Sequence, residues 1–309
     1  MTWNGLLRVH KPSGCTSHDI VAAVRRALGQ KKVGHCGTLD PMATGLLLVT
    51  TGRATRLSRF LIGAPKVYEG QATFGQTTDT YDAQGTVTAE SDTQSLSEEG
   101  ITAAMREFVG RYEQVAPAYS AKKVKGRKMY ELARSGEEVP ERRTEVEVYG
   151  FDPISALEDD RISFRLSCAS GTYARSLVHD LGEKVGTGAH LSALKRTGIG
   201  PFDLEGAITL DELDEWAAQD SVDGGTLEGH AAWTGFDGIP LPFATHATDP
   251  RGVDRILHGQ TVLAQQFPAE VGDWVRVTDP RGSVLAIGVV SDSVANGVTS
   301  VIQPKIVFN

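Results

Sequence analysis

The sequence predicts an α+β protein in two unequal parts. The larger carries a mixed, largely antiparallel sheet with flanking helices, and the smaller is all-β and C-terminal. Three observations carry this expectation. Helical and strand-like periodicities share residues 5–217. The stretch 218–240 is loose, with Gly224-Gly225, Gly235 and Gly238-Ile239-Pro240. The tail to Asn309 holds only short apolar runs separated by turns.

In chain order, Gly5 to Val9 reads as a strand and Lys11-Pro12-Ser13-Gly14 as a turn. Ser17 is the expected cap of a helix with Ile20, Val24, Ala27 and Leu28 on one face, closed by Gly29. Gly45 to Thr50 reads as a buried strand, Arg53 to Ile62 as a helix, Val67 to Phe74 as a strand, and Gly75 to Gly85 as a polar loop. Ser97 opens a helix with Ile101, Met105, Phe108 and Val109 inward. Residues 117–143 form a basic insertion. Strands follow near 142–150 and 161–168, a helix from about Thr172 to Val185, a strand near 190–198 and a helix from Thr209. In the tail, Trp274 to Val277, Val284 to Ile287 and Val298 to Ile302 are strands, with a turn at Asp279-Pro280-Arg281-Gly282. Together they predict a small barrel or sandwich. The expected division is 1–230 for the large domain and 236–309 for the small one.

At 309 residues the chain is long enough for both, and 40% hydrophobic with 23% charged residues places it among ordinary globular proteins. No apolar run approaches a membrane span, and Met1-Thr2-Trp3-Asn4-Gly5 lacks the basic start and apolar core of a signal peptide, so no membrane role is expected. Cys15, Cys36 and Cys168 have no metal-site or disulfide spacing and suit a reducing cytoplasm. The net charge of −8 argues against a polyanionic partner only until it is resolved along the chain. Residues 1–64 carry a balance of +7 and residues 201–309 one of −11, which clusters basic charge around one loop.

That loop is Gly34-His35-Cys36-Gly37-Thr38-Leu39-Asp40-Pro41-Met42-Ala43-Thr44-Gly45-Leu46-Leu47. Asp40 is its one carboxylate, among glycines that allow close approach of a large substrate. The following proline biases Asp40 to extended backbone. From chemistry alone, a catalytic acid, a helix cap ahead of Pro41 and a solvated turn aspartate all remain open. The ordered string resembles the catalytic motif of the pseudouridine synthases, in particular the TruB-type tRNA pseudouridine-55 synthases. The resemblance covers most of residues 5–217.

It implies the pseudouridine synthase fold, a PUA-like tail in an accessory role, and isomerisation of uridine 55 in the tRNA T loop by base flipping. It leaves room for an additional tRNA chaperone activity. It makes Asp40 the essential catalytic residue. Arg175 and Tyr173, in Gly171-Thr172-Tyr173-Ala174-Arg175, resemble the arginine that pairs with that aspartate and the tyrosine that handles the C5 proton. A nearby guanidinium favours an ionised carboxylate, and a held phenol can relay a proton. Tyr68, in Lys66-Val67-Tyr68-Glu69-Gly70, matches the residue that stacks on the uracil, an interaction worth roughly 1–3 kcal/mol. Leu194 resembles the apolar wall of that pocket, His35 the residue that fills the space left by the flipped nucleotide, and Lys11 a supporting residue near the active centre. The basic insertion, with Lys122, Lys123, Lys125, Arg127 and Lys128, resembles a thumb loop that meets phosphates of the T stem-loop. The reaction adds no outside group, so the expectation is no cofactor, no metal, tRNA as the partner and a monomer.

Rival readings use the same residues differently. A uridine C5-methyltransferase would employ Cys36 as nucleophile, and its methyl-donor site would need a glycine-rich loop after a strand, which is not evident. A glycoside hydrolase would need two facing carboxylates, and Asp19 reads instead as an early-turn acid at a positive helix end. A non-catalytic RNA chaperone would bind without isomerising.

Overall fold

A computed structural model describes residues 2–117, 142–223, 227–294 and 298–308, and the backbone of two short strands, Lys123–Val124 and Arg127–Lys128. Strand β1 (Gly5–Lys11) leads into helix α1 (Ser17–Ala27). The cap is Thr16, one residue before the expected Ser17. Thr16 and Asp19 form a capping box, which satisfies one free amide at each residue. Ser17 is thereby released to bond the peptide of Leu39.

Strands β2 (Val33–His35) and β3 (Thr44–Thr51) follow, then a 3₁₀ turn Gly52–Leu57 running into helix α2 (Ser58–Ile62). Next come β4 (Lys66–Phe74), β5 (Gln76–Thr78) and β6 (Val87–Glu90). The last two pair as a hairpin in and beyond the stretch expected to be only loop. Helix α3 (Glu98–Glu107) ends at Phe108, so Val109 falls outside its apolar face and is 47% exposed rather than inward. The order continues with β7 (Gly110–Val115), β8 (Lys123–Val124), β9 (Arg127–Lys128), β10 (Arg143–Pro153), β11 (Arg161–Cys168), α4 (Ala174–Val185), β12 (Ala189–Ile199), β13 (Phe202–Asp203) and α5 (Leu210–Asp223).

The large sheet runs β14-β1-β3-β12-β4-β11-β10-β7, where β14 is Trp233–Gly235. All neighbours on this path are antiparallel except β3 and β12, where Thr44 lies against Lys195 and Gly45 against Arg196. Strand β14 corrects the loose reading of 218–240. Helix α5 reaches Asp223, and β14 adds an edge strand to β1 with Trp233 buried beside Trp3. Strand β3 is buried on both faces, which is why it reads as a continuous apolar run. Leu47 and Val49 face α1 and α5, whereas Leu46 and Leu48 face α2 and the tail. On the other half of the sheet, α3 and α4 cover β4, β10, β11 and β12 through Ile101, Met105, Leu177, Leu181, Phe151 and Phe164.

The tail adds β15 (Thr245–Ala247), α6 (Pro250–Leu257), β16 (Val262–Gln265), β17 (Trp274–Thr278), β18 (Val284–Val294) and β19 (Thr299–Val307). They form one sheet in the order β15-β17-β18-β19-β16. Its edges, β15 and β16, do not pair with each other among the described residues, so the sheet is open rather than a closed barrel or sandwich. It has its own core of Ile256, Val262, Val275, Val277, Ala286 and Ile302. A second set of tail residues, Phe236, Ile239, Ile287, Ile306 and Phe308, joins the core beneath β3.

Candidate active site around Asp40

The backbone around Asp40 is fixed before its side chain acts. Asp40 to Ala43 is a turn closed by the Ala43 amide donating to the Asp40 carbonyl at 3.1 Å, with Pro41 at the position where proline presets φ. No helix follows, which removes the helix-cap reading. Two buried cations hold the carbonyls of this segment. The Lys11 ammonium, fully buried, donates to the carbonyls of Pro12 (2.9 Å), Pro41 (3.2 Å) and Ala43 (2.6 Å). Burial pushes the Lys11 pKa below its ordinary value, with Cys15 and Asp40 opposing that shift. Arg196 donates to the carbonyls of Leu46 (2.8 Å), Gly37 (3.1 Å) and Thr38 (3.3 Å). At Gly45, φ is +101° and an added Cβ would collide with the Arg196 main chain, so the parallel β3–β12 junction requires glycine there.

Arg175 meets this turn from the first turn of α4. Its Nη2 donates to Asp40 Oδ1 at 3.2 Å, and its Nε lies 2.9 Å from Asp40 Oδ2 as an ion-pair contact, so the two groups meet through one hydrogen bond and one charge contact. The same guanidinium lies 3.3 Å from Asp82 Oδ2 through Nη1, which also donates to the Thr80 carbonyl at 3.1 Å. Side-chain exposure separates the three members: 5% for Arg175, 5% for Asp82 and 34% for Asp40. One buried cation thus stands between a buried anion and an accessible one, and only the accessible one can meet a substrate. Asp82 is itself fixed, because Thr80 Oγ1 donates to it at 2.7 Å and the Gln84 amide at 3.0 Å. Tyr81 between them has a left-handed backbone (φ 62°), and its ring stacks on His179, one helical turn beyond Arg175, at 3.8 Å between centroids. A strained residue held by a stack of this kind marks a loop whose shape is over-determined.

Tyr173 is the N-cap residue of α4, two positions before Arg175. Tyr68 on β4 lies opposite Arg196 of β12, and Leu194 opposite Gly70. Both therefore sit on the sheet face that carries Leu39 and Ala43, the residues flanking the Asp40 turn. Burial raises the Tyr68 phenol above its ordinary pKa, so it stays neutral. His35 ends β2 and packs edge-to-face on His18 at 5.5 Å. Burial, then the neighbouring His18, lowers its pKa, which keeps the imidazole neutral at pH 7. A cleft of about 550 Å³ passes the turn beside Met42 and Thr44 and is lined further by Gln71, Ser192 and Lys195.

The structure therefore brings together Asp40, Arg175, Lys11, Tyr68 and Leu194, with Tyr173 on the same helix start as Arg175. The side chains of Lys122, Lys123, Lys125, Arg127 and Lys128 lie outside the described residues. Sequence reasoning missed Asp82 and Arg196, and gave Ser17 the task of a helix cap in place of its bonds to Leu39. Asp82 had a signal in the dense Thr-Asp-Thr-Tyr-Asp string of an otherwise plain loop. Arg196 is one of two adjacent basic residues on a strand and could not be singled out. The chemistry of the methyltransferase rival fails locally: burial pushes the Cys36 thiol up to about 11, against weaker help from Ser58 and Thr50, so little thiolate exists near neutral pH. Among the described residues no group of three potential metal ligands assembles, and no helix is long and apolar enough to cross a membrane.

Comparison with known proteins places this geometry in context. Residues 25–174 match the family model described as TruB family pseudouridylate synthase (N terminal domain), and residues 175–230 match the tRNA pseudouridylate synthase B C-terminal domain. A tRNA pseudouridine synthase B of Pelotomaculum thermopropionicum is 39% identical over 92% of this chain and 90% of its own length. One of Thermobifida fusca is 38% identical over 99% of this chain and 98% of its own. Among solved structures, an H/ACA RNP bound to a substrate RNA containing 2′-deoxyuridine aligns with TM-score 0.75 and 25% identity, covering 99% of this chain and 85% of that one.

Proposed function

The chain belongs to the TruB family of pseudouridylate synthases, and from that premise we propose that it isomerises uridine 55 of the tRNA T loop to pseudouridine. The observation that carries this reading is the accessible Asp40 carboxylate, gripped at two points by a buried Arg175 that a second, buried carboxylate holds in turn. In the reaction the bond from ribose C1′ to uracil N1 breaks, the base rotates, C1′ bonds to C5, the C5 proton leaves to water, and N1 takes up a proton in its place. Asp40 supplies the anionic oxygen that the cleavage requires. The loop around it is rigid, so that oxygen needs no reorganisation when a flipped uridine arrives. Tyr68 and Leu194 receive the base by stacking and apolar contact, which offsets part of the few kcal/mol of extrusion. Tyr173 assists removal of the C5 proton, His35 fills the space the nucleotide leaves, and the basic insertion, Lys122 to Lys128, meets phosphates of the T stem. Apart from the one proton exchanged through water, all atoms of the product come from the substrate nucleotide, so the reading assigns the chemistry to side chains alone.

The test uses a T stem-loop RNA carrying tritium at uridine C5 with no methyl donor present, so that release of the label to water reports isomerisation. Asp40→Asn is expected to bind the RNA within a few-fold of wild type and to lose at least about 10³ in single-turnover release. Release at close to the wild-type rate would refute the role given to Asp40 and move the chemistry to another group, and no release from the wild-type protein would leave a passive RNA-binding protein.

A further inference from the structure

We infer that Gln114 is a positioning residue of this site, whose buried carboxamide fixes the main chain of Tyr173 and through it the direction of the phenol. The inference rests on the role given to Tyr173 above. Gln114 lies on β7, is 1% exposed, and touches none of the reacting groups assigned to the site. Its Oε1 accepts from the Tyr173 amide at 2.8 Å, and its Nε2 donates to the Tyr173 carbonyl at 2.9 Å. The second Nε2 hydrogen goes to the Tyr112 hydroxyl at 2.5 Å. An N–H needs an oxygen and a carbonyl needs an N–H, so this set admits one orientation of the amide.

Two bonds to the main chain of a single residue are what a neighbouring strand would provide. Here a side chain provides them, at a point where no strand pairs with Tyr173 among the described residues. Tyr173 sits at the junction of the Ala169–Thr172 turn and α4, with φ −96° and ψ 107° and no side-chain cap of its own. Gly171, two residues earlier, has φ +95°. Such a junction has freedom to pivot, and the Gln114 clamp removes it. A second tether acts one turn further on, where Ser176 Oγ donates to the Val115 carbonyl at 2.8 Å. The end of β7 is thus locked to the helix start that presents both Tyr173 and Arg175. The described insertion strands, Lys123–Val124 and Arg127–Lys128, come after β7 in the chain and pair with each other as a separate ribbon.

The test measures kcat and KM for tritium release, with melting curves and RNA binding on every variant. Gln114→Ala is expected to lower kcat by about 10- to 100-fold, the scale of a misplaced catalytic group, while KM stays within about twofold. The same change in a Tyr173→Phe background is expected to cost nothing more, because the phenol it positions is already gone. Gln114→Glu supplies an independent readout that survives if the alanine variant does not fold. The titratable groups around the introduced carboxyl are Tyr112 on its own strand, Asp180 and Tyr173 from α4 and its cap, and Cys168 at the end of β11. At high pH a carboxylate would face the Tyr173 carbonyl with no proton to donate, and at low pH the neutral acid regains a donor. The ratio of variant to wild-type kcat should therefore rise at least about threefold from pH 8 to pH 5.5. A wild-type kcat in Gln114→Ala, an additive loss in the double variant, or a flat Gln114→Glu ratio overturns the inference and leaves the Tyr173 reading standing. A wild-type rate in Tyr173→Phe overturns that reading and the inference with it.

Discussion

Arginine does two different jobs in two regions of this molecule. At the active site Arg175 faces two carboxylates and a carbonyl, in a pocket that leaves 5% of its side chain exposed. Beneath the other half of the sheet, Arg53 lies over the ring of Phe236 at 4.2 Å, Arg56 over Phe308 at 5.2 Å, and Arg59 over Trp274 at 5.2 Å. Among the described residues none of these three pairs with a carboxylate, although the tail they hold is strongly acidic. The joint is aromatic, reinforced by Phe60 packing edge-to-face on Phe243 and Trp274. The contrast changes the meaning of the basic charge in residues 1–64. Lys11 is spent on carbonyls, Arg8 on Asp203 at 3.0 Å, and Arg53, Arg56 and Arg59 on the tail. Arg25, Arg26, Lys31 and Lys32, at the end of α1 and the turn after it, remain exposed. A positive segment in the sequence is therefore not a positive surface, because cations are also the chain's means of fastening carbonyls and rings.

The largest way to probe the contrast is Arg175→Lys. Lysine keeps the charge but presents one point of contact in place of a planar fork. A single ammonium cannot serve Asp40, Asp82 and the Thr80 carbonyl in their present positions. Single-turnover isomerisation should fall by at least about 10², with RNA binding little changed. If the lysine variant works at the wild-type rate, the fork is not what orients Asp40, and the two arginine regions differ less than their geometry indicates.

Replacing Arg53, Arg56 and Arg59 together by glutamine tests the other side. Cation–π contacts are worth about 0.5–2 kcal/mol each, so the triple variant should melt lower and expose the joint to proteolysis. Its RNA affinity should keep the wild-type dependence on salt. Were the three side chains phosphate contacts instead, the slope of log affinity against log salt would drop by about 1 per residue. Titration of binding at several salt concentrations separates the two roles.

How much of this could be read in the sequence varies with the kind of signal. Asp40, Arg175 and Tyr68 stood in ordered motifs, and the Asp40–Arg175 contact joins two of those motifs in space. Helix α1 and strand β3 were legible because their periodicity is strong and their faces are buried. The holders were not legible. Asp82 lies in a polar loop where an aspartate is ordinary, and its significance comes from Arg175, 93 positions away in the chain. Gln114 was open to notice only as a polar residue on the inward face of an alternating strand, between Tyr112 and Ala116. The tail strands β18 and β19 run past the apolar segments that reveal them. Their outer residues, Asp292 to Val294 against Thr299 to Val301, pair as an arm that is exposed along β18 and buries only Ser300 on β19, so no apolar pattern marks it. The loose reading of 218–240 failed at β14, because a three-residue edge strand is set by the partner β1 and not by its own composition.

The smallest effect comes from a charge on the same helix as Arg175 that lacks what Asp40 and Asp82 share. Asp180 has no cation partner among the described residues, and burial, with Glu183 adding repulsion, raises its carboxyl to about 6. The unfolded chain releases that proton near the ordinary value of 3.8, so the folded state carries an unfavourable charge at every pH above about 6. Asp180→Asn should therefore stabilise the protein by about 1 kcal/mol at pH 7.5, allowing for the part of the side chain still in water. The gain should shrink as pH falls from 6 toward 3.8 and vanish below it, where both folded and unfolded carboxyls are protonated. Denaturant melts of the two proteins at pH 7.5, 5 and 3.5 measure this directly. A gain independent of pH would mean that the introduced amide improves packing and that the lone carboxylate costs nothing. A loss at pH 7.5 would mean that Asp180 is compensated after all, and that helix α4 carries a second balanced charge beside the one at the active site.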